Sequence, residues 1–143
     1  MFYKQILGHP ILSKRVRFAV NVCPTTQEDP QKIGELCIKN QKIPFKLYWS
    51  SNWPGEMFKG LCLSAMGSNI ISGYSKHGFE RGSGTSEANP ILASLATLVK
   101  QTFPEKNGPQ VLQKMEETSL ALGESKFTGW GFVWAPAALD LSE

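Results

Sequence analysis

Between residues 67 and 90 the chain reads GSNIISGYSKHGFERGSGTSEANP, with five glycines, several hydroxyl side chains, His77 and Arg81 ahead of a long apolar segment. Backbone amides of a glycine-rich loop at a helix N-terminus can cradle a phosphate, and the helix dipole supplies part of the positive charge. Ser83, Gly84, Thr85 and Ser86 offer such donors, and His77 and Arg81 offer cations. One expectation is therefore an anion site, and with it an enzyme acting on a phosphate-bearing substrate. The stretch lacks both the G-x-x-x-x-G-K-[ST] of a P-loop and the G-x-G-x-x-G of a dinucleotide fold. Glu87 also places a negative charge at the same helix start. The competing reading is a long turn whose glycines serve positive φ values, with Ser86 or Asn89 capping the helix.

Other catalytic groupings are sparse, so the chain leans toward a non-enzymatic reading. Cys62 falls mid-strand in KGLCLSA, without the turn or helix start that lowers a thiol pKa, and reads as a buried, inert thiol. His9 and His77 are the only histidines; a His77–Glu80 pair beside a serine would need a rigid frame that this segment does not offer. Cys23, Cys37 and Cys62 form an odd set with no C-x-x-C pair, which indicates reduced, mostly buried thiols and no disulfide framework. No ligand spacing points to a metal, and no cofactor is expected.

A second candidate site comes from charge. Residues 1–50 carry eight Lys/Arg against three Asp/Glu, a net of +5, while the remainder carries seven against nine, a net of −2. In RVRFAVNV, Val16, Phe18, Val20 and Val22 alternate with Arg15, Arg17, Ala19 and Asn21, the period of a half-buried strand. KIPFKLYW alternates likewise, leaving Lys42, Pro44, Lys46 and Tyr48 on one side. If the two strands are neighbours facing the same way, Arg15, Arg17, Lys42, Lys46 and Tyr48 make a positive platform with a ring for base stacking. Nucleic acid is then the favoured partner. Trp49, Trp53 and the Trp130–Trp134 segment support an alternative, a protein-interaction module such as an inhibitor or adaptor.

GSGTSEANPILASLA resembles the junction of the third strand and following helix in double-stranded-RNA-binding domains, where G-x-G-x-S leads into an alanine-rich helix. That family clamps phosphates with a lysine pair at the helix start; Glu87 and Ala88 stand at those positions here, so the resemblance implies the junction without the clamp.

The elements that must carry these residues follow from local pattern. Asp29-Pro30 predicts a helix start, in competition with a hairpin through Asn40-Gln41. Pro44 predicts an edge strand or a bulge. MFKGLCLSAM and SNIISGYS predict paired strands around Gly67-Ser68. Asn89-Pro90 predicts a buried helix with Leu92, Leu95, Ala96, Val99 and Phe103 inward, and Gly108-Pro109 a second one reaching Leu122 and stopping at Gly123. KFTGWGFVWAP predicts a last strand, its glycines marking close approach of another element. A length of 143 residues, 41% apolar and 19% charged, suits one α+β domain: an antiparallel sheet of about five strands with two C-terminal helices on one face. No apolar run approaches the ~20 residues needed to cross a bilayer, so a cytoplasmic protein with no membrane partner is expected.

Overall fold

A computed structural model describes residues 2–74 and 78–141. In chain order the elements are α1 (Phe2–Gly8), α2 (Leu12–Arg15), β1 (Phe18–Pro24), β2 (Lys32–Ile38), β3 (Gln41–Leu47), α3 (Gly55–Phe58), β4 (Cys62–Met66), β5 (Ile70–Tyr74), β6 (Gly78–Gly82), α4 (Thr85–Thr102), α5 (Gly108–Glu117), α6 (Ser125–Thr128) and α7 (Ala135–Ala138). The class is α+β as expected, but the sheet is mixed rather than antiparallel. Its order is β2-β3-β1-β4, with β1 antiparallel to β3 and parallel to β4. β5 and β6 form a separate two-stranded hairpin. The expected pairing of β4 with β5 is therefore replaced by a crossover.

Side-chain alternation on the parallel pair builds two cores instead of one. Ala19 of β1 and Leu63 and Ala65 of β4 face Ala88, Leu92, Leu95 and Val99 of α4 and Val111 and Met115 of α5. Val20 and Val22 of β1 and Cys62 of β4 face the other way, onto Leu36, Phe45, Leu122 and Phe132. Parallel strands are typically covered on both faces, which is why the supposed open face of β1 is closed. Each fully buried aliphatic side chain, Leu63 or Val99 among them, contributes about 1.5–3 kcal/mol.

Several local expectations are corrected by competing chemistry. Asp29 caps a turn, accepting from the Gln31 amide at 2.8 Å, and the following residues form β2. The β2–β3 hairpin closes through Lys39 and Asn40, both at positive φ (47° and 62°), the geometry of a tight hairpin turn. β3 is an inner strand. Pro44 is tolerated there because the ladder with β1 ends at Pro24–Phe45, beyond which the Pro44 carbonyl accepts from Thr25. The irregularity in pairing lies in β2, between Lys32 and Gly34. α5 begins at Asn107 with a reciprocal capping box to Gln110 but stops at Glu117, where the Thr118 and Ser119 hydroxyls turn back onto the Lys114 and Met115 carbonyls, both at 2.7 Å. The predicted last strand is broken by Gly129 and Gly131, at φ 68° and 117°. What is left is a short irregular pairing, with Ser64 donating to the Gly131 carbonyl, Val133 donating to the Ser64 carbonyl and Phe132 exchanging bonds with Leu120, and a Cβ on Gly131 would run into the Leu120 carbonyl.

One buried ion pair joins the two ends of this frame. Glu116 of α5 accepts from Arg17 Nε just ahead of β1, with 9% and 13% of the side chains exposed; Arg17 Nη1 also donates to the Ser13 and Val16 carbonyls. Removing one partner of such a pair strands the other charge in low dielectric, which typically costs 3–5 kcal/mol. Glu116→Ala is expected to lower the stability read from a urea unfolding midpoint by about 3 kcal/mol.

Candidate active site

The residues gathered around the N-terminus of α4 are held by the end of the sheet. β4 stops at Met66, and Gly67 turns the chain away with its backbone fully buried. The Gly67 carbonyl accepts from the Gly84 amide at 2.9 Å, and the Gly84 carbonyl accepts from Ala88 at 3.2 Å to open the helix. No side chain fits at this crossing: a Cβ on Gly67 would lie 2.5 Å from the Gly84 carbonyl oxygen and 2.7 Å from the Ala88 nitrogen.

α4 therefore starts at Thr85, four residues before the expected cap at Asn89. This moves Ser86 and Asn89 onto the first turns of an 18-residue helix, three residues apart on one face. Amides of the first turn have no intrahelical acceptor, so Thr85, Ser86 and Glu87 present N–H groups at the positive end of the dipole. Pro90, inside the helix, has no N–H to give to the Ser86 carbonyl. Ser86 itself is exposed, and its Oγ has no hydrogen-bond partner among the described residues. Thr85, Ser86 and Asn89 open onto a cavity of about 620 Å³ bounded on its other sides by Phe18–Val20 of β1 and by Trp53, Pro54 and Phe58.

The first part of the loop proposed for phosphate is engaged internally. Gly84 N–H goes to Gly67, Ser83 Oγ accepts from the Asn69 amide at 2.9 Å, and the Glu87 carboxylate lies against Gly82 and Gly84, where an anion would have to sit. Arg81 is exposed on β6, and His77 lies outside the described residues. Thr85 and Ser86 remain at the cavity.

The basic platform is dispersed and neutralised. Arg17 is half-buried and paired with Glu116; Lys46 pairs with Asp29 at 2.7 Å; Lys42 pairs with Glu35 at 3.1 Å. Arg15 belongs to α2 and points to a different groove, beside Lys100. Tyr48 spends its amide on the Asn21 carbonyl and its ring on Trp49. Hydrogen bonds from Lys46, Thr25 and the Gln31 amide hold the Asp29 carboxyl at about 2, below its ordinary 3.8. Because that value is lowered on folding, the stabilisation from this pair is fully present above pH 3.8 and is lost as pH falls through about 2. Among the tryptophans, Trp49, Trp53 and Trp130 are exposed, by 86%, 57% and 48%, and Trp53, at the cavity rim, packs its ring at a tilt against Phe127.

The remaining titratable candidates carry no chemistry here. Burial pushes the Cys62 thiol up to about 11, with Arg17 opposing the shift, so it stays protonated well above neutral pH. Cys37, by contrast, is exposed. Native protein at pH 8 is expected to give Ellman's reagent a fast thiol at Cys37 and to release Cys62 only on unfolding; fast native modification of Cys62 would contradict this placement. His9 accepts two backbone amides, of Ile11 and Leu12, through Nδ1 in the turn before α2.

A parallel strand pair ending beneath a helix whose first turn presents a solvent-open serine sets that side chain at a helix N-terminus, beside the carboxyl ends of the strands. Residues 19–131 match the model of the subtilase family of peptidases. The chain belongs to the subtilase family. It is 37% identical over 115 residues to M-protease of Shouchella clausii and to Subtilisin BL of Lederbergia lenta, in each case across 80% of this chain. Those matches span 28% and 39% of the two relatives, so the chain corresponds to well under half of either. Among solved structures it is similar to the self-cleaved protease domain of PatA, with a TM-score of 0.54 and 27% identity over 62% of this chain and 34% of that one. The fold also matches subtilase cytotoxin SubAB, with a TM-score of 0.63 at 14% identity, covering 92% of this chain and 39% of the other. Family membership and the paired cations together overturn the nucleic-acid reading, and the likeness to double-stranded-RNA-binding domains falls with it.

Sequence reasoning placed Ser86 among phosphate donors and Asn89 as a cap; the structure makes them neighbours on one helix face. The missed signal was Gly-Thr-Ser run directly into an alanine- and leucine-rich segment, which reads as a turn before a cap and equally as the first turn itself.

Proposed function

We propose that this chain carries the nucleophile of a serine peptidase, with Ser86 Oγ as the attacking atom. The observation that carries the reading is Ser86 exposed at the positive end of α4, facing the cavity. The names of the relatives, subtilisin and alkaline protease, support it. In the attack, Oγ bonds to the substrate carbonyl carbon, its proton passes to a base, and the carbonyl oxygen becomes an oxyanion. The free amides at the start of α4 are placed to donate to that oxyanion, and one such donor is typically worth 10²–10³ in rate. In subtilisin the triad runs Asp, His, Ser along the chain, so the base is a histidine preceding the serine. His9 is engaged in its own turn, and no described residue contacts Ser86 Oγ as a base. Trp53 at the rim favours an extended polypeptide as substrate over a small ester, since its exposed ring offers apolar surface alongside the cavity. The test is acylation by an activated ester such as p-nitrophenyl acetate. With imidazole in the buffer as the base that the described residues do not supply, a burst of p-nitrophenol that titrates with chain concentration is the expected result; steady release with no burst, or release equal to that from denatured chain, would remove the nucleophile.

A further inference from the structure

We infer that Asn21 is the positioning residue for Ser86, an inference that rests on the reading of Ser86 as nucleophile. Asn21 sits in the middle of β1 with no exposed surface, and it points to the same side as Ala19, toward α4. A buried amide side chain is costly unless every donor and acceptor is used. Here the side chain behaves as an added peptide group. Its Oδ1 accepts from the Gly67 amide at 2.8 Å and from Ser68 Oγ at 3.3 Å, and its Nδ2 donates to the Gly67 carbonyl at 3.1 Å. Its own backbone is fixed in turn, the N–H donating to Ser51 Oγ at 2.9 Å and the carbonyl accepting from Tyr48 at 3.0 Å.

The Gly67 carbonyl is the shared atom. It accepts from Asn21 Nδ2 and from the Gly84 amide together, and Gly84 lies two residues ahead of Ser86. β4 has already ended at Met66, so no strand neighbour holds Gly67; the Asn21 side chain continues the ladder by one step and fixes the height at which α4 begins. The residue type is constrained. Leucine at this position would orphan a buried amide, and an ionised aspartate would set a negative charge against the Gly67 carbonyl. A neutral carboxylic acid, by contrast, offers one O–H donor and one carbonyl acceptor, the same pair that asparagine supplies.

The experiment measures the rate of Ser86 acylation by p-nitrophenyl acetate together with amide hydrogen exchange in wild type, Asn21→Ala and Asn21→Asp. In Asn21→Ala the Gly67 and Gly84 amides are expected to exchange at least about tenfold faster, and acylation to slow by about 10–100-fold, because a displacement of about 1 Å can cost 10² in rate. In Asn21→Asp the acylation rate, as a ratio to wild type at the same pH, is expected to be near one at pH 5 and to fall as the buried carboxyl ionises. The titratable groups beside it, Cys23 hydrogen-bonded to Ser68 and Glu87 against Gly84, are common to both proteins and cancel in the ratio. A merely structural loss would not recover on protonation. Folded Asn21→Ala with unchanged acylation and unchanged Gly84 exchange overturns the inference, as does an Asn21→Asp deficit equal at pH 5 and pH 8; should the alanine variant not fold, the aspartate pair decides alone. If wild type shows no burst at all, the nucleophile reading fails, while exchange at Gly67 and Gly84 still decides whether Asn21 is the clamp.

Discussion

Ser86→Ala is expected to abolish the acylation burst, from about one acyl group per chain to none, with the helical circular dichroism unchanged. The magnitude follows from the role. When the serine of a complete triad is removed the loss approaches 10⁶ in kcat, because no other group can form the covalent intermediate. The fold is expected to survive, since Ser86 is exposed and makes no hydrogen bond through Oγ among the described residues. Ser83→Ala serves as the control. Its hydroxyl accepts from Asn69 and faces the hairpin rather than the helix mouth, so the burst should persist at full amplitude. A burst retained in Ser86→Ala, or lost equally in Ser83→Ala, would place the reacting hydroxyl elsewhere.

The second large effect is structural. Gly67→Ala is expected to destabilise the protein by about 3 kcal/mol, at the upper end of what overpacking costs, because the atoms its methyl would meet, two of the backbone and the Ala88 Cβ fixed to it, cannot swing aside. Relief requires the Gly84 loop and the first turn of α4 to move away from the sheet, taking Ser86 with them. Stability and acylation are therefore expected to fall together. Gly73→Ala, where an added Cβ meets nothing within 4 Å, provides the comparison and should shift the urea midpoint little. Equal midpoints for the two variants would mean that the sheet and helix do not touch at Gly67.

Glu87 lends a chemical twist to the same helix start. Its carboxylate lies against Gly82 and Gly84, within the first turn of α4, where it would compete with the proposed oxyanion for the positive end of the dipole. Charges in such positions typically contribute 0.3–1 kcal/mol. Glu87→Gln is accordingly expected to raise the acylation rate by about 2–5-fold, read from the burst phase; a decrease would show that the carboxylate instead orders the loop.

What the sequence disclosed depended on whether a signal was local. The alternation in KIPFKLYW, the apolar stripe from Leu92 to Val99 and the helix start at Gly108-Pro109 each act within a few residues, and each formed the strand or helix expected of it. Pairing was not local. Whether β4 joins β5 or β1 depends on a connection spanning residues 25–61, and the apolar positions of β4 suit either neighbour. The parallel choice then covered both faces of β1 and turned Asn21, seemingly an outward polar residue, into a buried side chain bonded to both the amide and the carbonyl of Gly67. Charge failed in the same way. Arg17, Lys42 and Lys46 looked like a platform because their acids, Glu116, Glu35 and Asp29, are brought to them only by the fold. At the helix start, Gly-Thr-Ser-Glu-Ala-Asn-Pro offered two registers, and the proline favoured the later one. The helix begins earlier because Gly67 supplies an acceptor for Gly84 that the linear sequence does not show.

The central claim is that Ser86 is the reacting hydroxyl, and covalent capture tests it most directly. The chain is incubated with a fluorophosphonate, digested, and sequenced by tandem mass spectrometry. A single phosphonyl group on Ser86, absent after prior denaturation, is the expected result; a group on Ser83, Thr85 or any other residue, or none in the folded chain, would contradict it.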